Sequence, residues 1–174
     1  YMTAGMGDGG ACHPRDNIAL RYLSQKLDMG YDLFSSIMDA REIQAKNLAV
    51  YLKDLSEKRK MQIYIHGKAY KPGVIYEDGS YSILVNEFLK KFNKEAIFID
   101  PLTEKSLPSS IKGIILLAHS ASTTYKYIKG KNISKDIVYT NFEKDSVIVD
   151  PWRKFPKTKG LEVIHYGNTR LFEN

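Results

Sequence analysis

Ile114-Ile115-Leu116-Leu117-Ala118 contains no polar residue, and it constrains the fold more than any other stretch of the chain. A strand wetted on one side alternates apolar and polar residues. An unbroken run between Gly113 and His119 suits a strand covered on both faces, as in the middle of a parallel sheet. Both faces of such a sheet are covered by helices, so strands and helices should alternate around it. The flanking sequence meets that demand. Residues 61–66 read as a strand running into Gly67-Lys68-Ala69-Tyr70-Lys71-Pro72, and residues 80–92 as a helix carrying Ile83, Leu84, Val85, Phe88 and Leu89. Residues 96–100, 146–150 and 161–166 read as further strands, two of them stopped by Pro101 and Pro151. The predicted class is α/β, a Rossmann-like doubly wound and mainly parallel sheet over residues 61–174.

The upstream pattern has a different period. Ile18, Leu20, Tyr22, Leu23 and Leu27 fit a helix ending near Gly30, which would act as its C-cap. From Asp32 to Lys58, Phe34, Ile37, Met38, Ala45, Leu48, Leu52 and Leu55 recur at helical spacing over a rise of roughly 40 Å. Its outer face is read as Asp39, Arg41, Glu42, Lys46, Lys53, Asp54 and Glu57. A helix of that length needs a partner chain or another domain to bury its stripe; the alternative is packing on its own C-terminal domain. The basic run Lys58-Arg59-Lys60 marks the expected boundary between a helical segment, 1–60, and the α/β domain, 61–174.

Composition narrows the function classes. Hydrophobic residues make up 43% of 174, enough for a core, and the net charge is +6. The lysines are spread along the chain, which favours a small phosphorylated ligand over nucleic acid. No apolar run approaches a membrane span and no signal-peptide layout is present, so a cytoplasmic protein without membrane attachment is expected. The single cysteine agrees with a reducing compartment. The chain opens at Tyr1 inside a glycine-rich motif, as a piece of a longer protein would.

That cysteine is the sharpest candidate for chemistry. Cys12 closes the run Gly5-Met6-Gly7-Asp8-Gly9-Gly10-Ala11 and precedes His13-Pro14-Arg15-Asp16. A thiol just ahead of a helix N-terminus and beside Arg15 is placed to be stabilised as thiolate. By residue type alone a buried inert thiol is an equal reading, but the surrounding glycines and charges argue against a core position. Asp16, four residues on, would face the same side as Cys12 once the helix begins, or simply favour the helix dipole. The GxGxxG spacing of Gly5, Gly7 and Gly10 has no strand before it and is discounted as a dinucleotide motif. His66 and His119 are read as structural, no histidine pair has metal-ligand spacing, and no metal is expected. Strand ends offer Tyr70, Lys71, Asp100, His119, Ser120, Asp150 and Arg153 as candidates to meet an anionic ligand.

Residues 9–16, Gly-Gly-Ala-Cys-His-Pro-Arg-Asp, resemble the nucleophile motif GG-x-C-x-P-K-D of the UDP-glucose/GDP-mannose dehydrogenase family. Gly67-Lys68-Ala69-Tyr70-Lys71 is similar to that family's G-x-[AS]-[FY]-K, and Asp150-Pro151-Trp152-Arg153, more weakly, to its late Asp-x-Arg segment. The resemblance implies oxidation of the C6 alcohol of a UDP-sugar to a carboxylate with two NAD, through a cysteine thioester. It implies Cys12 as nucleophile and Asp16 as the group organising water. Tyr1, Gly9, Tyr70, Lys71 and Arg153 would contact substrate, and Arg15 would stand where a lysine lies near NAD. It further implies a homodimer through the helix at 32–58, and an N-terminal NAD-binding domain that this chain does not contain. The Pro14-Arg15-Asp16 continuation favours the UDP-glucose 6-dehydrogenase branch; the alternatives are a UDP-N-acetylhexosamine or GDP-mannose dehydrogenase, or a non-catalytic nucleotide-sugar-binding or dimerisation module. Asp78 departs from the pattern, standing where the family commonly has an arginine that contacts NAD.

Overall fold

The computed structural model describes residues 4–7, 10–120 and 142–167. Two helices lead, α1 (Cys12–Lys26) and α2 (Leu33–Arg59), followed by β1 (Ile63–His66), α3 (Tyr81–Lys91), β2 (Ile97–Ile99), β3 (Ile114–Leu117), β4 (Val147–Val149) and β5 (Glu162–Ile164). The five strands form one sheet in the order β2-β1-β3-β4-β5, every neighbouring pair parallel. The α/β class and the parallel sheet are those the sequence predicts. All strands end at the same edge, and the chain reverses its direction of winding between β1 and β3. That gap is the switch point where doubly wound sheets bind ligands.

β3 shows why its sequence has no alternation. Ile114 and Leu116 enter a cluster with Ile63, Ile65, Val147 and Val149 beneath α2 and α3. Ile115 and Leu117 enter a second cluster on the opposite face with Ile99, Ile148, Phe142 and Phe155. Both faces are dry, so neither tolerates a polar residue.

The long helix divides its labour. Asp32 caps it, accepting from the Ser35 amide at 2.9 Å, and Lys60 ends it in the left-handed region at φ +54°. Ala45, Leu48, Ala49, Leu52 and Ser56 are buried, most of them in the same cluster as the sheet, so its second half packs on its own α/β unit. Its first half is less covered: Leu33 and Ile43 are exposed.

α1 is turned the other way. It buries Asn17 and Ser24 and leaves Ile18, Leu20, Tyr22, Leu23 and Leu27 exposed. The buried polar groups are satisfied locally, Asn17 donating to the His13 carbonyl at 2.8 Å and Ser24 to the Tyr31 carbonyl at 3.1 Å. α1 also stops earlier than the sequence suggests. Leu27 is its C-cap, and Gly30, at φ +66°, lies in the linker.

Leu52 tests the packing of the second half of α2. It is fully buried, so Leu52→Ala should cost about 2–5 kcal/mol in urea unfolding. Ile43→Ala, on the exposed half, should change stability by less than about 0.5 kcal/mol. Equal small effects would mean that α2 is not integral to the α/β core.

Candidate functional site

A cavity of about 200 Å³ lies at the switch point, beyond the carboxyl ends of β1 and β3. The loop after β1 supplies Ala69, Tyr70, Lys71 and Pro72; the end of β3 supplies Ala118, His119 and Ser120. The first turn of α3 adds Ser80, Tyr81 and Ser82, Trp152 enters from beyond β4, and Met6 and Gly7 close one side.

The backbone that presents Tyr70 and Lys71 is held at nearly every polar group. The Lys68 and Ala69 amides donate to Asp100 Oδ2 at 2.8 and 3.2 Å. The Lys68 carbonyl accepts from Ser80 Oγ at 2.7 Å and Ser82 Oγ at 3.2 Å, and the Ala69 carbonyl accepts from His119 Nε2 at 2.9 Å. The Tyr70 amide donates to the Tyr76 carbonyl at 3.1 Å. A strap fixed at so many points pays little ordering entropy when it meets a ligand. Lys71, exposed, carries its ammonium 5.2 Å from the centre of the Tyr70 ring. With the amide end of α3 it gives the cavity its positive character. Lys68 points elsewhere, to Glu77 at 3.0 Å and Glu104 at 3.1 Å. Burial disfavours its charge, but those two carboxylates outweigh that and raise its pKa.

The glycine-rich segment is laid against this rim. A Cβ on Gly7 would sit 2.2 Å from the Tyr81 ring, and one on Gly5 would sit 3.0 Å from Trp152. A Cβ on Gly10 would meet Tyr70 at 3.1 Å, and Gly79 packs on Gly10 so closely that its Cβ would lie 2.4 Å from the Gly10 carbonyl oxygen. Glycine is needed here for close approach between backbone and rings. The two motifs, far apart in sequence, are thereby in contact.

Cys12 is exposed and is the first residue of α1. It does not line the cavity. Arg15 Nε bonds Asp16 Oδ1 at 2.8 Å, both side chains well exposed, so Asp16 pairs with its neighbour and does not line the cavity either. The bond to Asp16, with a smaller contribution from Cys12, raises the pKa of the Arg15 guanidinium. Arg153, at φ +55°, bonds the Gly167 carbonyl and lies off the cavity lining. Tyr1 and Gly9 lie outside the described residues.

Two strand-end candidates have structural duties. Asp100 accepts three backbone amides, those of Lys68, Ala69 and Leu102. Asp150, fully buried, accepts those of Trp152, Lys154 and Phe155. Asp150 anchors the loop that follows it and Asp100 ties the loop after β1 to the end of β2, leaving little acceptor capacity for a ligand. Sequence reasoning missed Trp152, Tyr81, Ser80 and Ser82. Trp152 stood inside a quoted motif, and its indole is fixed by donating to the Leu117 carbonyl at 2.9 Å. Ser80, which accepts from the Ile83 amide as the N-cap of α3, is readable as a cap but not as a cavity wall.

A switch-point cavity roofed by a glycine segment defines a doubly wound α/β protein with a candidate ligand site at its strand ends. No family model matches the chain. A stretch of 73 residues is 37% identical to the GDP-mannose 6-dehydrogenase of Pseudomonas putida, covering 42% of this chain and 16% of that protein. The fold is similar to the crystal structure of a GDP-mannose dehydrogenase from Pseudomonas aeruginosa in a ternary complex, with a TM-score of 0.61 and 19% identity. That likeness covers 94% of this chain and 41% of the other, so the chain spans less than half of the length of either relative. The structural likeness shows the fold, and the sequence match agrees with the dehydrogenase family that the motifs resemble. Among the described residues no helix is long and apolar enough to cross a membrane, and no group of three His, Cys, Asp or Glu could hold a metal.

His66, at the end of β1, is buried with its Nδ1 unpartnered. Burial, and then the neighbouring His119, push its pKa down from 6.5 to about 4. Burial lowers His119 as well. The unfolded chain therefore binds protons, between pH 6.5 and about 4, that the folded protein does not. Stability should be complete above that window and fall on the order of 3 kcal/mol across it. Urea unfolding at stepped pH should show a shallower loss in His66→Leu; identical slopes in the two proteins would contradict this account.

Proposed function

We propose that this chain provides the nucleophile and the sugar-nucleotide site of an NAD-dependent nucleotide-sugar dehydrogenase, which oxidises the C6 alcohol of UDP-glucose or a related nucleotide sugar to the uronic acid. The observation that carries this reading is the contact between the two motifs: the glycine segment leading to Cys12 rests on the Tyr70, Tyr81 and Trp152 rim of the switch-point cavity. A second cavity of about 210 Å³ borders the same segment, between Gly5, Met6, Gly7, Gln44, Asn47 and Tyr166. Two small cavities on either side of one backbone suit an extended ligand better than either alone suits a compact one.

In this reading Lys71 meets the diphosphate as a point charge, and the Tyr70 and Trp152 rings border the sugar. Cys12 Sγ adds to the C6 carbonyl carbon once the alcohol has become an aldehyde. Hydride loss from that adduct would leave a thioester for water to cleave near Asp16, the hydride acceptor being supplied from outside the described residues. NAD supplies the oxidising chemistry in the family that the sequence resembles. The described residues of this chain do not fit it: Gly5, Gly7 and Gly10 follow no strand and are taken up by aromatic rings, and Arg15 is paired with Asp16.

The exposed apolar residues of α1 and of the start of α2 support a homodimer formed through this face. A second reading of the substrate, GDP-mannose, is favoured by the names of both relatives.

Calorimetry of the chain with UDP-glucose and GDP-mannose separates the two substrates. Lys71→Ala should weaken the preferred one about tenfold, the loss of one charge-assisted contact. No heat with either at millimolar concentration would refute the site. Bound nucleotide sugar should also slow alkylation of Cys12 by iodoacetamide several-fold, and an unprotected thiol would separate Cys12 from the site.

A further inference from the structure

Arg41 lies on a face of α2 whose sequence reads as solvent-facing, yet it is half-buried. Its guanidinium reaches the loop that leads into α3. Nη2 donates to the Gly79 carbonyl at 3.3 Å, and Cζ lies 5.7 Å from the centre of the Tyr81 ring. Each of those two partners touches a different part of the glycine-rich segment. Tyr81 is the ring against which Gly7 packs, and Gly79 is seated on the Gly10 carbonyl and the Ala11 amide, where its Cβ would come within 2.4 and 2.8 Å. Ala11 is the N-cap of α1, immediately before Cys12.

We propose that Arg41 is a positioning residue for the nucleophile segment. It holds Gly79 and Tyr81 in one fixed relation, and these hold Gly7 and the Gly10–Ala11 backbone over the cavity rim. The chemical purpose of the clamp rests on the nucleotide-sugar reading above; the clamp itself does not. A planar guanidinium suits the task because it can stack on a ring and donate in its own plane at the same time, whereas an ammonium does one or the other. The clamp also ties α2 to the site, since its other buried residues face α1, α3 and the sheet core.

Hydrogen exchange of the full chain reads the clamp without any ligand. In Arg41→Met the peptide containing Gly10 and Ala11 should exchange about tenfold faster, with peptides from β3 unchanged. Arg41→Lys, keeping the cation over Tyr81, should recover part of that protection. Unchanged exchange at Gly10 and Ala11 would overturn the proposal, and so would acceleration spread evenly over β3, which marks a general loss of stability. Calorimetry with the preferred nucleotide sugar should show several-fold weaker binding in Arg41→Met and partial rescue in Arg41→Lys. If the unaltered chain binds no nucleotide sugar, the substrate reading fails and the exchange result still decides the clamp. If binding is equal in all three proteins, Arg41 does not position the site.

Discussion

The double burial of β3 is the constraint on which the site depends. Because Ile114 to Leu117 face hydrophobic clusters on both sides, no polar side chain can leave the sheet except at a strand end. The first positions free to carry chemistry are therefore Ala118, His119 and Ser120, next to the loop after β1. The reversal of winding between β1 and β3 leaves the gap open there, and the rest of the site is assembled around it. His119 illustrates the economy: it lines the cavity and also fixes the Ala69 carbonyl of the strap that carries Tyr70 and Lys71.

Rigidity at this site comes from backbone satisfaction more than from side-chain packing. Two buried aspartates each take three amides, Asp150 from the loop that follows it and Asp100 two from the loop after β1 and one from its own. A carboxylate that accepts that many donors is held in place. Among the described lining residues, the charge that remains available to a ligand belongs to Lys71, because Lys68 is spent on Glu77 and Glu104 and burial lowers the pKa of both histidines. Among the described residues, an exposed lysine beside a helix amide end is an arrangement suited to an anion.

Much of this was legible in the residues. The apolar run at 114–118 implied the parallel sheet, and Asp32 and Ser80 sit where helix caps were needed. The two motifs that resemble one family proved to be neighbours in space. What escaped the sequence has a common physical cause, which is that side-chain direction depends on tertiary partners. Arg41 reads as a surface cation because its partners, Gly79 and Tyr81, are distant in sequence. Asp100 and Asp150 look like ligand groups because an amide acceptor and a substrate acceptor are the same residue type. α1 reads as a helix with apolar residues at helical spacing, yet Asn17 and Ser24 face the protein and those apolar residues face out. Periodicity finds the stripe but not its direction.

That outward stripe bears on the nucleophile. Cys12 is reached from one side by a segment fixed against three aromatic rings, and it begins a helix whose inward face is mostly polar. Polar contacts satisfied within the helix and its linker contribute little net binding to the rest of the protein. The N-terminal approach to Cys12 is therefore better determined by this chain than the helix that follows it. An apolar surface made of Ile18, Tyr22, Leu23, Leu27 and Tyr31 is costly to leave in water. A partner that covered it would also fix α1, which carries both Cys12 and Asp16 on its first turns. The geometry between thiol and cavity would then be set jointly, by the rim from one side and by that partner from the other.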